Sequence, residues 1–277
     1  MSYQITTYKG VMVVKQHKLD EPKREKVKVE KRGCVRGMSR KSRKNLLRLC
    51  NQLQPSENYY FVTLTYQLWE DDNFKLWKRQ LDRVFQGLRY HFPESSGVWR
   101  LEFQKRKAPH YHILFHIPEN PSCQKLKTIL RKYWLSALGQ DSKAITRYGV
   151  KVDQVGNDYK NCALYSAIYS AKDANDRIDI KTGRPWGKYN QTKLPVHAFQ
   201  AYEMSRVRQT ILRRICRKWL QAHQRDHGYA RYLSSPQGSF DIFIPHHVQI
   251  RLLDFVKNFE TARSSENGFR LPVRKVA

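Results

Sequence analysis

"KAPHYHILFHI", residues 107–117, sets three histidines among apolar residues directly after a proline. Pro109 marks a turn, and the run from His110 to Ile117 has the length and composition of a strand. Alternate side chains of a strand share a face, so His110, His112, Leu114 and His116 point one way. Upstream, "VWRLEFQ" from Val98 reads as another strand, opened by Gly97. The basic turn "QKRKAP" joins the two as a hairpin.

Further elements lie on either side. Before the hairpin, "YFVTLTY" (Tyr60 to Tyr66) alternates as a strand. From Phe74, apolar residues recur at Trp77, Leu81, Val84, Phe85 and Leu88, the spacing of a helix. After it comes a helix with Ser122 as N-cap and a stripe of Leu126, Ile129, Leu130, Tyr133 and Trp134. "YGVKVDQV" is a fourth strand, and "DYKNCALYSAIYSAKDAND" a helix rich in alanine. "GRPWGKYN" reads as a turn segment. The order β-α-β-β-α-β-α predicts an α+β fold, a central antiparallel sheet with helices packed on one face.

The ends of the chain are more basic than apolar. Residues 1–50 hold fifteen basic and four acidic residues, and residues 1–37 read as a basic arm. A helix start follows, with an apolar side of Leu46, Leu47, Leu49 and Leu53. Residues 198–222 read as one long basic helix with Met204, Val207, Ile211, Ile215 and Trp219 along a side. The tail beyond it reads as mostly helical or irregular. The expected organisation is an arm over 1–37, one domain over 38–197 and a basic, mostly helical extension over 198–277.

Charge decides the partner class. The 277 residues carry 52 Lys and Arg against 24 Asp and Glu, a formal net charge of +28. Such an excess repels itself unless a polyanion neutralises it, and nucleic acid is the leading partner. No run of about 18 apolar residues is present to span a membrane. The N-terminal stretch lacks the apolar core of a secretory signal. The five cysteines form no CxxC pair, which disfavours a disulfide framework or zinc ribbon and predicts a reducing, cytoplasmic setting.

Two constellations carry chemistry. Imidazoles two residues apart on a strand, His110 and His112, can meet one metal ion. Glu102, eight residues before His110, comes beside them across the hairpin, unless it only pairs with Arg100 or Lys105 on the surface. Two neutral histidines and a carboxylate suit Mn²⁺ or Mg²⁺ and leave positions open for substrate oxygens. His116 reads as a strand-end histidine. The second set is Tyr165, Tyr169 and Lys172, which at 100° per residue fall on one helix face. They are either packing residues or a reactive face. A tyrosine with a pKa of about 10 is a poor nucleophile at neutral pH, and a metal-polarised phosphate with a nearby lysine would let it attack phosphorus.

"FVTLTY", "EFQKRKAPHYH" and "YSAIYSAK" occur in the order of the three motifs of HUH endonucleases. The chain resembles in particular the rolling-circle replication initiators of plasmids and small DNA phages. The resemblance covers about residues 38–190. It implies an RRM-like, ferredoxin-like topology with His110 and His112 as paired ligands and Glu102 as the acidic third. It also implies Tyr169, with Lys172 three residues on, as first nucleophile, and Tyr165 as the other tyrosine of two-tyrosine initiators. Two positions depart from the family pattern: Ile168 stands where a lysine commonly follows the first tyrosine, and Lys107 where the turn usually has glycine.

The resemblance implies nicking and rejoining of single-stranded DNA at a rolling-circle origin through a 5′-phosphotyrosyl link, in the cytoplasm of a bacterial host. Lys105, Arg106 and Lys107, with Arg206, Arg213 and Arg214 of the long basic helix, are the expected phosphate contacts. Tyr111 or Trp186 would stack on unpaired bases. No GxxxxGK[ST] run occurs, so unwinding would fall to a host helicase and extension to a host polymerase. A transposase or relaxase of the same chemistry and a non-catalytic basic nucleic-acid-binding protein are the alternatives.

Overall fold

The computed structural model describes residues 2–8, 11–16, 38–67, 74–104, 108–139, 143–158, 183–197, 200–223, 240–243 and 246–262. Along the chain these form β1 (Ser2–Tyr8), β2 (Val11–Gln16), α1 (Arg40–Gln52), β3 (Tyr59–Thr65), α2 (Phe74–His91), β4 (Ser96–Phe103) and β5 (Pro109–His116). They continue with α3 (Cys123–Leu138), α4 (Lys143–Tyr148), β6 (Val150–Gln154), β7 (Trp186–Tyr189) and β8 (Gln200–Ser205). The last three are α5 (Arg206–His223), β9 (Phe240–Phe243) and α6 (His246–Ala262). Two compact units result: Lys28–His197, and Met1–Val27 with Ala198–Ala277.

The Lys28–His197 unit is α+β, built on an antiparallel sheet of order β6-β3-β5-β4-β7. Alternation sends Tyr60, Val62 and Leu64 of β3 to the same face as Tyr111, Ile113 and Phe115 of β5. Trp77, Leu81, Val84 and Leu88 of α2 and Leu126, Leu130 and Trp134 of α3 close over that face in one core. Burial of each such side chain stabilises the fold by about 1.5–3 kcal/mol. Ser39 caps α1 by accepting from the Ser42 N–H at 3.1 Å, and Ser122 caps α3 from the Lys125 N–H at 3.3 Å. Gly139, at φ 64°, ends α3 in the left-handed conformation that only glycine adopts cheaply.

Helix α1 lies across part of the opposite face. Leu46, Leu49, Cys50 and Leu53 pack there on Tyr59, Val98 and Leu114. This leaves the ends of β4 and β5 that carry Glu102, His110 and His112 next to the helix. The segment expected as a turn, 183–190, instead contributes β7 as an edge strand paired with β4. Gly187 allows it, since a Cβ there would meet the Trp99 ring at 2.7 Å.

The second unit corrects two readings. Residues 2–16, expected within a basic arm, pair as a hairpin in the sheet β8-β1-β2-β9. "SYQITTY" and "VMVVKQ" are rich in strand-forming residues, and charge counting over the whole arm hid them. The helix expected from residue 198 begins at Arg206, because "QAYEMS" is strand β8. Its buried side is Gln209, Leu212, Arg213, Cys216 and Leu220, while Val207 is exposed. Among the described residues no helix is long and apolar enough to cross a membrane.

Candidate metal centre

The antiparallel register brings the ligand set together. Glu102 of β4 is the direct partner of His110 on β5, and Arg100 is the partner of His112. On the other side of β5, Thr63 stands opposite His112 and Thr65 opposite His110. Directly opposed residues share a face, so all six side chains rise from one side of the sheet.

The Oε2 atom of Glu102 lies 3.6 Å from Nε2 of His110 and 3.3 Å from Nε2 of His112. One ligand atom from each residue falls within 4.8 Å of the others. Adjacent ligands around an ion bound at about 2.1 Å stand about 3 Å apart, so small side-chain rotations bring these donors onto a divalent ion. The three side chains are only 14–16% exposed.

Glu102 is oriented by its other oxygen. Arg100, 3% exposed, forms an ion pair with Oε1, which turns Oε2 toward both imidazoles. Burial pushes the Glu102 carboxyl up, but hydrogen bonds from His110 and His112 and the charge of Arg100 outweigh it and hold the group well below the usual carboxylate range. It is therefore an anion at neutral pH, as a ligand must be.

The histidine rings are supported from behind. Thr63 Oγ1 is 3.2 Å from Nδ1 of His112, and the Gln104 side-chain amide is 3.5 Å from Nδ1 of His110. Phe61 stacks on His112 at 5.4 Å between centroids and 16° between planes. A narrow cleft lined by Leu46, Cys50, Val98, Arg100, His112 and Leu114 adjoins the group on the α1 side. Burial pushes the Cys50 thiol up to about 12, so it stays protonated and adds no soft ligand. Two imidazole nitrogens and one carboxylate oxygen form an N₂O donor set that can hold a divalent ion and keep positions open.

Of the residues expected from the sequence, Glu102, His110 and His112 are together. His116 is apart, at the strand end, with Nε2 3.2 Å from Ser56 Oγ. Tyr165, Tyr169, Lys172, Lys105, Arg106 and Lys107 lie outside the described residues. Arg206 and Arg214 are exposed on α5, whereas Arg213 is buried with its guanidinium 4.6 Å from the centre of the Phe240 ring, where packing replaces the expected phosphate contact. The two stacking aromatics are also corrected. Tyr111 alternates away from His110 into the core, fully buried, and the Trp186 indole N–H donates to Ser42 Oγ at 2.7 Å. Thr63 and Phe61 were not singled out in the sequence, since only the β3–β5 register reveals them. Arg100 was foreshadowed: two residues from Glu102 on one strand, it had to share its face.

A family model for the replication-associated protein ORF2 matches residues 59–174 of the chain. The match begins with β3 and includes every ligand of the candidate centre. No curated protein and no solved structure matches the chain.

Proposed function

We propose that the chain is a replication initiator of the HUH type, which nicks and rejoins single-stranded DNA at a rolling-circle origin. The observation that carries this reading is the convergence of Glu102, His110 and His112 inside the stretch similar to replication-associated proteins. The net charge of +28 supplies the attraction for a polyanionic substrate. Residues 38–197 are the proposed nuclease domain, acting in the cytoplasm of a bacterial host with that host's helicase and polymerase.

Glu102, His110 and His112 would hold Mn²⁺ or Mg²⁺, which when bound supplies Lewis-acid polarisation of a phosphate oxygen. Arg100 keeps Glu102 ionised and aimed, and Thr63 keeps the His112 ring in place. The Tyr169 oxygen loses its proton and bonds to phosphorus while the bond from phosphorus to the 3′ oxygen breaks. The products are a 5′-phosphotyrosyl link and a 3′-hydroxyl, which a polymerase can extend. Attack by a 3′-hydroxyl on the link reverses the step without ATP. Lys172 neutralises charge at the phosphate, and Tyr165 is the second tyrosine.

The test is a labelled single strand from the origin of the protein's own replicon, incubated with Mn²⁺ and run on a denaturing gel. A covalent adduct that disappears with Tyr169→Phe alone establishes Tyr169 as nucleophile. An adduct that survives each single change but not Tyr165→Phe with Tyr169→Phe makes the tyrosines interchangeable. Absence of adduct on a strand shown to bind, with either metal, overturns the nuclease reading.

A further inference from the structure

A second concentration of positive charge lies apart from the ligand set. Lys127 and Arg131, one turn apart on α3, and Lys143, Thr146 and Arg147 of α4 line an open groove. No acidic residue lines it, and none of the four cations has an ion pair with a described residue. Arg131 Nε is buried without a hydrogen-bond partner. Four unneutralised cations around one concavity repel one another, and a chain of phosphates relieves that repulsion. The groove's volume of about 540 Å³ is in the range that holds a nucleotide-sized group.

An aromatic ring stands at its margin. Tyr148 is 69% exposed, with the Arg147 guanidinium 5.3 Å from its ring centre. Exposed aromatics beside cations are the elements that hold unpaired bases, the ring taking the base and the cation the phosphate.

Both walls are fastened to the strand beside the ligands. The Trp134 indole of α3 donates to the Thr65 carbonyl at 3.3 Å, and the Thr65 N–H donates to the Gly149 carbonyl just after α4 at 2.9 Å. Thr65 is the register partner of His110. The groove is thereby fixed relative to the candidate metal centre.

We propose that the α3–α4 groove binds single-stranded DNA flanking the scissile position, with Lys127, Arg131, Lys143 and Arg147 on its phosphates and Tyr148 stacked on a base; this rests on the DNA-cleaving reading for the identity of the strand. The groove extends the contact beyond the reacting phosphate and so sets how long a strand the protein prefers.

The test uses the full chain and two labelled single strands from the origin, one covering the cleavage position alone and one extended on both sides. Fluorescence anisotropy is recorded over a salt series. For Arg131→Gln with Arg147→Gln, the slope of log affinity against log salt on the extended strand falls by about 1.4, two phosphates at about 0.7 each. Tyr148→Ala weakens the extended strand about fivefold to hundredfold. Binding of the short strand and adduct formation on it stay unchanged. Arg131→Lys with Arg147→Lys retains the slope, which separates charge from folding. Equal losses on both strands, or an unchanged slope, overturn the proposal. A loss confined to duplex of the same sequence overturns the assignment to single strand. If the unaltered protein formed no adduct, the nuclease reading would fall, and the length-dependent binding would still decide the groove.

Discussion

Arg100 and Glu102, two residues apart on β4, divide the carboxylate between them and the histidines: Arg100 takes Oε1, and Oε2 faces His110 and His112. The arginine draws charge from a metal ligand, which lowers metal affinity, yet it also fixes that ligand's rotamer, which raises it. Orientation wins here because a freed glutamate must be ordered again when metal binds, and partners behind metal ligands are typically worth 10–100-fold in affinity. Arg100→Gln is expected to weaken Mn²⁺ binding by about that factor in isothermal titration calorimetry. Unchanged affinity would mean the pair only neutralises a buried charge.

Thr63 tests the same idea from the neighbouring strand. With Nε2 of His112 turned to Glu102, Nδ1–H donates to Thr63 Oγ1. Thr63→Val keeps the shape and removes the acceptor, so the ring loses its tautomer preference. Mn²⁺ affinity should fall about tenfold, and ¹⁵N spectra of the His112 ring should show the tautomers mixing. A ring held by Phe61 stacking alone would show neither change.

These supports mark where sequence reading stops. The ligand triad was legible because a two-residue period and a hairpin are local, and the hairpin set Glu102 against His110. The stripes of α2 and α3 were legible for the same reason, through helical spacing. Thr63 was not, since β3 and β5 are about fifty residues apart and nothing local states their register. The pairing of β1 with β8 joins residues nearly two hundred apart. There the basic residues that follow β2 masked two strands. Arg213 shows a further limit: on α5 it is indistinguishable by composition from Arg214, and only packing buries one and exposes the other.

Lys78 carries a pH dependence. Its Nζ is buried without a hydrogen bond, 4.0 Å from the Trp99 ring centre. Burial pushes its amine down to about 7, with Arg184 adding to the shift and Asp82 opposing it. Between that value and the unfolded value of about 10.4, the unfolded chain binds the proton and the folded chain does not. Stability therefore rises with pH across this window, by up to about 1.4 kcal/mol per unit. Urea unfolding from pH 7.5 to 9.5 should show the rise, and Lys78→Met should remove it. Parallel slopes for the two proteins would place the amine in water.

Gly87, buried in α2, faces the Tyr133 ring of α3, and a Cβ there would collide with that ring. Replacing glycine by alanine inside a helix ordinarily stabilises by about 1 kcal/mol. Overpacking a filled interface costs about 1–3 kcal/mol, and Tyr133 cannot retreat freely because its hydroxyl lies 3.3 Å from His91 Nε2. The collision should outweigh the helix gain, so Gly87→Ala lowers the urea midpoint, by a net of about 1 kcal/mol in stability. Gly87→Ala with Tyr133→Leu restores the space and should recover most of the loss, which assigns the effect to this contact. A Gly87→Ala protein more stable than the parent would show that α2 and α3 separate at little cost.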